Sequence, residues 1–376
     1  MIGEVAIDVS AITPRSGGAG TYVHELVARL PQHDVAPVLV ARRGDGAAWP
    51  VALATFACAP KRRPLRLAWG GLLLPHVLHG KAPDVRLLHS PHYTMPLPTT
   101  RARPGIANVV TIHDLTFFTH PDEHDLAKRV LFRRATRHAA RHAEALVCVS
   151  DRTARELAQH VRVDVPVHVI AHGIDHDRFR PTTPTIDGAD RALMQTLGIV
   201  RPFILHLGTI EPRKNVENLL RAYELLCGDG LIDVDLVLAG GAWRGQLERL
   251  RAVSVGRVQR LGYVPDECVA SLYRRAAAVA YPSLSEGFGL PVVEALACGA
   301  PVVTTQGSVM EELAPDAVVV VDPMQPDAIA TGLRRALEGK APPLAARLRC
   351  AARYTWDDSV RRHAELYRSI LDARGR

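Results

Sequence analysis

The sequence predicts an α/β protein built from two doubly wound, Rossmann-like domains. Short β-branched runs alternate with longer helical patterns along the whole chain, the signature of parallel sheets joined by crossover helices. The alternation starts afresh after a polar stretch containing Pro and Thr at 180–190, so two sheets fit better than one large sheet. The length, 376 residues, is also more than one hydrophobic core organises comfortably. Hydrophobic residues make up 47 % and charged residues 23 %, which excludes a disordered chain.

In the first half, strands are predicted over 5–9, 35–41, 85–89, 107–112, 145–149 and 167–170, with helices over 21–30 and 125–143 among them. Ser150 is a capping residue directly before a helix that runs to about Val161. The second series has strands over 203–208, 234–240, 258–261, 277–281, 302–305 and 318–321. The segment 355–371 reads as a helix with no strand after it. The predicted domains are therefore 1–178 and 179–356, with a terminal helix over 357–376 available to pack back onto the first.

Composition narrows the function. The first residues lack the basic-then-apolar order of a signal peptide, and no run approaches the roughly 18 apolar residues of a membrane span. The six cysteines are scattered, with no Cys-x-x-Cys pair, so neither a zinc ribbon nor a disulfide framework is expected and the predicted location is cytoplasmic. Residues 1–180 hold 23 Lys and Arg against 16 Asp and Glu, whereas residues 181–376 hold 23 of each. The excess concentrates in 51–150, with 14 cations against 6 anions, which suggests an anionic partner. Within it, Lys61-Arg62-Arg63-Pro64-Leu65-Arg66 precedes an apolar run to Leu74 that includes Trp69, so 61–74 is a candidate for peripheral contact with a membrane's inner face. No interleaving of aromatic and basic residues points to nucleic acid.

Open α/β sheets hold ligands beyond the carboxyl ends of their strands, so the turns there are the candidate sites. After the first strand, Ser16-Gly17-Gly18-Ala19-Gly20-Thr21 lets backbone amides approach an anion, although the spacing fails the dinucleotide fingerprint. Thr111-Ile112-His113-Asp114 ends a strand with a titratable ring. Glu211-Pro212-Arg213-Lys214-Asn215 sets two cations at the head of a helix, suited to a diphosphate. The most specific turn is Ser285-Glu286-Gly287-Phe288-Gly289-Leu290-Pro291-Val292-Val293-Glu294. It places two carboxylates about a loop and one helical turn apart, able to hold different hydroxyl-bearing parts of one ligand.

Together these four motifs, in this order, make the chain resemble retaining glycosyltransferase family 4, whose members have the GT-B fold. The resemblance implies two Rossmann-like domains facing a cleft and a nucleotide sugar bound mostly by the second. By that likeness Glu294 binds the ribose, Glu286 touches the transferred sugar, and amides of Gly287, Phe288, Gly289 and Leu290 meet sugar hydroxyls and phosphate. Lys214, with Arg213, binds the diphosphate; Val264, in Gly262-Tyr263-Val264-Pro265, faces the base through its backbone. Gly18 and Gly20 border the phosphates, and His113 stands near the reacting side of the sugar. Mannosyltransferase-like motifs suggest GDP-mannose as donor, and a glycan, glycolipid or small molecule as acceptor. No cofactor is implied, and the strings Asp175-His176-Asp177 and Asp233-Val234-Asp235 are not expected to hold a metal. Two departures from the pattern, Thr209 after Gly208 and His172 before Gly173, bear on the diphosphate geometry. A GT-B nucleotide-sugar epimerase and a non-catalytic nucleotide-binding protein are the alternatives.

Overall fold

The computed structural model describes residues 4–12, 17–49, 54–97, 105–228, 233–242 and 257–375. The chain divides into two compact units, one of residues 1–173 with 356–376 and one of 174–355.

The first unit has a seven-stranded sheet of β1 (Val5–Asp8), β2 (Val38–Arg42), β3 (Thr55–Ala59), β4 (Leu87–Ser90), β5 (Ala107–Ile112), β6 (Ala145–Cys148) and β7 (Val167–Val169). Their order is β3-β2-β1-β4-β5-β6-β7, and every pairing is parallel. Near-continuous Val, Leu, Ile and Ala in β1, β5 and β6 are what burial on both faces of a parallel sheet requires. The second unit repeats the plan with β8 (Phe203–Leu207), β9 (Asp235–Ala239), β10 (Val258–Gly262), β11 (Ala278–Tyr281), β12 (Val302–Thr305) and β13 (Val319–Val321), in the parallel order β10-β9-β8-β11-β12-β13. Its core joins the helix Val216–Gly228 to the helix Pro326–Leu337 over β8, β9 and β11. In each sheet the strand order reverses beside the first strand, between β1 and β4 and between β8 and β11. Those two points are where such sheets leave a crevice for a ligand.

The structure differs from the sequence reading in four places. The glycine turn after β1 is not a loop over its described part: Gly17–Arg29 is helical, so Gly18 and Gly20 lie in the first turn, whose N–H groups have no partner within the helix. Strand β3, not predicted, is an edge strand of small residues. The stretch 180–190 is mostly not a connector, because Pro184–Thr196 is a helix capped by the Thr183 side chain with Pro at its head. That helix is locked by a buried bidentate pair, Arg274 donating to both Asp190 oxygens at 2.7 Å. The terminal helix, finally, begins at Trp356 and extends to Gly375. It belongs to the first unit, where the Arg362 guanidinium donates to the Val169 carbonyl and Arg374 pairs with Glu144.

Candidate active site

The motif Glu211–Asn215 follows β8 and the loop 282–289 follows β11, so the crevice of the second sheet brings them together. The join is made by backbone and side chain alike. The Leu284 amide donates to the Arg213 carbonyl at 2.7 Å, and the Asn215 amide group donates to the carbonyls of Pro282 and Pro323. Asn215 adopts φ +57°, in the left-handed region that Asn tolerates better than most residues, which turns the chain into the helix Val216–Gly228.

At the centre Lys214 donates to Glu286 and, at 2.5 Å, to the Tyr281 hydroxyl, which itself donates to Glu286 at 3.2 Å. Arg213 donates to the other Glu286 oxygen at 2.9 Å and to the Ser285 carbonyl, and pairs with Glu211 at 2.6 Å. Burial alone would raise the Glu286 carboxyl, but Lys214 and Arg213 hold it down to about 2. Burial lowers the Lys214 ammonium, against the pull of Glu286. The His206 ring stacks on Tyr281, donates from Nδ1 to the Ala280 carbonyl at 3.1 Å, and is kept near 4 by burial. Tyr281 and His206 were not singled out by the sequence; both lie inside strands, where a polar residue carries no local signal.

Gly289 has φ +92° and caps the helix Leu290–Ala297, with Pro291 in its first turn. A Cβ at Gly289 would stand 2.7 Å from the Met310 Cγ, so backbone and packing both require glycine there. Phe288 is buried edge-on against Tyr354, which anchors the loop. Glu294 accepts from the Tyr273 hydroxyl at 3.3 Å. Burial pushes its carboxyl up to about 7, opposed by Arg178. The Val264 side chain is buried just before the helix Asp266–Arg275.

In the first unit His113 follows β5 and holds the Pro91 carbonyl at 2.8 Å through Nε2, and burial lowers its pKa. Tyr22 and His172 pack on it, with ring centroids 5.3 and 5.7 Å away. Of the two Asp-x-Asp strings, Asp233 and Asp235 are engaged by Arg201 and Arg257, while Asp175 accepts from the amides of Asp177 and Arg178.

Two parallel doubly wound, Rossmann-like units define the GT-B class of fold, and the second carries a buried cation–carboxylate cluster at its crevice. Residues 16–178 match the description Glycosyltransferase Family 4 and residues 194–355 match Glycosyl transferases group 1. The chain belongs to the glycosyltransferases of family 4 type. It is 28 % identical over 328 residues to O-antigen chain mannosyltransferase B of Escherichia coli, covering 82 % of each chain. The fold is shared with sucrose-phosphate synthase from Thermosynechococcus elongatus, at a TM-score of 0.78 and 21 % identity over 98 % of this chain and 99 % of that one. It is likewise shared with Anabaena HepE, solved with UDP-glucose, at a TM-score of 0.73 and 20 % identity over 97 % and 99 % of the two chains.

Proposed function

We propose that the chain is a retaining hexosyltransferase that moves mannose from GDP-mannose to a hydroxyl of a glycan, glycolipid or small-molecule acceptor. The observation that carries this reading is the buried Lys214–Glu286–Arg213 cluster beyond β8 and β11. Breaking a sugar–phosphate bond puts growing charge on a diphosphate, and fixed cations beside loop amides stabilise that charge without reorganising. The mannosyltransferase relative supports the sugar. A UDP-sugar is the second reading of the donor, favoured by the HepE complex. Retention is read as same-face attack, with the leaving phosphate taking the acceptor's proton, so no side chain is assigned as base.

The deciding experiment is a thermal-shift panel with GDP, UDP, ADP, NAD and the matching nucleotide sugars. A ligand at about 100 times its Kd adds roughly 2.7 kcal/mol. A shift with GDP and GDP-mannose supports the donor; a shift with UDP moves the donor and keeps the transferase; NAD alone refutes both. An epimerase would release an isomerised sugar with no acceptor present.

Glu294 is assigned to the ribose hydroxyls, and Glu286 to the transferred sugar. Glu294→Ala is expected to weaken nucleotide binding, and Glu286→Ala mainly to slow transfer; unchanged turnover of the latter removes Glu286 from the chemistry. Since the ionised Glu294 is the form that accepts two hydroxyl hydrogens, nucleotide affinity should fall by about tenfold per unit below pH 7. Glu294→Gln should flatten that profile.

We assign no resident metal or cofactor, the nucleotide sugar being substrate. Rates in excess EDTA should match those in magnesium; a loss restored by magnesium alone would overturn that assignment. Six free cysteines suit a cytoplasmic protein. Among the described residues no helix is long and apolar enough to cross a membrane. Peripheral contact through 61–74 is supported by exposed Lys61, Arg62 and Arg63 beside exposed Leu65, Leu72 and Leu73. It requires co-sedimentation with anionic vesicles at low salt, reversed by added NaCl; absence of co-sedimentation sinks it.

A further inference from the structure

The first unit has a crevice of its own. Asp8, at the end of β1, and Ser90, at the end of β4, border a cavity of about 300 Å³ at the point where this sheet's strand order reverses. That volume holds about ten water-sized groups, so a substantial part of a small molecule fits.

Its walls are mainly apolar. Leu67 and Gly70 come from the helix Arg63–Leu72, Leu131 comes from the helix Leu126–His142, and Leu97 sits beside the first helix, its amide donating to the Gly71 carbonyl at 2.9 Å. Leu97 remains 47 % exposed although it lines the cavity, so apolar surface continues out of the mouth. On the helix Leu126–His142 the residues Leu126, Val130 and Arg134 fall four apart and share one stripe. Leu126 and Val130 are 65 % and 38 % exposed, and Arg134 lines the cavity.

The charge around this cavity is mainly positive, Asp8 being the one carboxylate among its described lining residues. The helix Leu126–His142 carries Lys128, Arg129, Arg133, Arg134, Arg137 and Arg141 and no carboxylate. Arg66, from the helix Arg63–Leu72, donates to the Lys61 carbonyl at 2.8 Å and balances the half-buried Asp8, which accepts from the Ser10 amide. Arg134 is the lining cation that no carboxylate pairs among the described residues. An apolar slot rimmed by unneutralised guanidinium complements one kind of ligand: a carbon chain with an anionic head.

We propose that this cavity binds the phosphate-bearing end of a single-chain amphiphile, an alkyl or isoprenyl phosphate. Arg134 meets the phosphate, the first carbons lie among Leu67, Leu97 and Leu131, and the rest of the chain runs along Val130 and Leu126. This deepens the transferase reading, on which it rests, by naming the anchor that carries the acceptor.

The test is calorimetric titration of the full chain with decyl phosphate below its micellar concentration. Decanol, inorganic phosphate and vesicles of anionic phospholipid are the separate arms. Decyl phosphate should bind at least about tenfold more tightly than decanol or inorganic phosphate. A Cβ at Gly70 meets nothing within 4 Å, so Gly70→Leu fills the cavity without a clash at the backbone. Gly70→Leu should abolish decyl phosphate binding, and Arg134→Gln, an exposed change that leaves folding alone, should weaken it by about tenfold while sparing decanol. Both variants should keep wild-type affinity for the donor nucleotide. Equal binding by wild type and both variants, or binding of inorganic phosphate that accounts for the whole affinity, overturns the proposal. Binding to vesicles alone overturns it too, because the ligand is then a surface and not a single amphiphile. If decyl phosphate binds but no nucleotide or nucleotide sugar does, the cavity stands and the transferase reading falls. The reverse pattern sinks the cavity alone.

Discussion

Replacing Lys214 by Ala is expected to lower the rate of sugar transfer by about 10²- to 10³-fold, the range seen when one fixed donor to a developing anion is removed. The ammonium is buried, held between Glu286 and the Tyr281 hydroxyl, and a water that takes its place brings no positive charge. The same change strips a buried carboxylate of one partner. That leaves a cost of about 3 kcal/mol in stability, at the low end because Arg213 still donates to Glu286. The two effects separate in a cycle. Glu286→Gln added to Lys214→Ala should recover most of the lost stability, since no uncompensated charge remains, and none of the lost rate. Initial rates at saturating donor, beside denaturant unfolding, read both quantities. A Lys214→Ala variant that turns over like wild type would show that the cluster serves the fold and not the reaction.

The cluster shows what a sequence discloses and what it withholds. Arg213, Lys214 and Glu286 stand out because glycines, prolines and charges punctuate the ends of β8 and β11, and turn chemistry is local. That Glu286 is already neutralised by both cations is not local: the residues lie more than 70 positions apart and meet only because β8 and β11 are neighbours. Tyr281 and His206 are invisible for the same reason, each being one polar letter in an apolar strand. The missed strand β3 sits at the sheet's edge, where small residues such as Ala57 and Cys58 give little alternation to detect. The helix Pro184–Thr196 carried a readable start, Thr183 followed by Pro184. Its polar composition masks that signal, and the buried pair of Asp190 with Arg274, distant in sequence, is what holds a polar helix there.

Least legible was the buried polar chain of the first unit, because its members come from four distant elements. Tyr367 donates to Nδ1 of His89 at 2.6 Å, and Nε2 of His89 donates to the Thr111 hydroxyl at 2.8 Å. Thr111 donates to the Tyr22 hydroxyl at 3.0 Å, Tyr22 donates to Nε2 of His363 at 2.9 Å, and Nδ1 of His363 donates to the Ser359 carbonyl at 2.8 Å. Burial keeps both rings neutral, so each uses one N–H and one lone pair, and the Ser359 carbonyl, which can only accept, then fixes this direction along the chain. It ties the terminal helix Trp356–Gly375 to β4, β5 and the helix Gly17–Arg29.

Acid should therefore unfold the first unit before the second. Burial keeps His363 near 4, His89 and His172 well below the ordinary histidine value, and His113 below it as well. Each unfolds to a ring that titrates near 6.5, so between that pH and the folded value the unfolded state binds one more proton per histidine. Their stability contribution is complete above about pH 6.5 and falls with pH by about 1.4 kcal/mol per unit for each ring. His92, kept near 4 by burial, adds to the same slope, and Asp8, which burial raises, offsets at most one proton of it. In the second unit two groups oppose each other. His206, near 4, loses stability on acidification, whereas Glu294, raised to about 7, binds its proton in the folded state first and gains. Between pH 6.5 and 4.5 these nearly cancel; only below 4.5 does Glu286, held at about 2, begin to withdraw its share. Trp49, Trp69 and Trp356 all belong to the first unit, and Trp243 falls within 174–355, outside the described residues. With Trp243→Phe, tryptophan fluorescence should report a denaturation midpoint that drops steeply from pH 6.5 to 4.5. The nucleotide-induced thermal shift of the second unit should change over the same range only as Glu294 ionisation requires. A single transition with one shallow pH dependence would mean that the histidine chain adds no pH-dependent stability to the first unit.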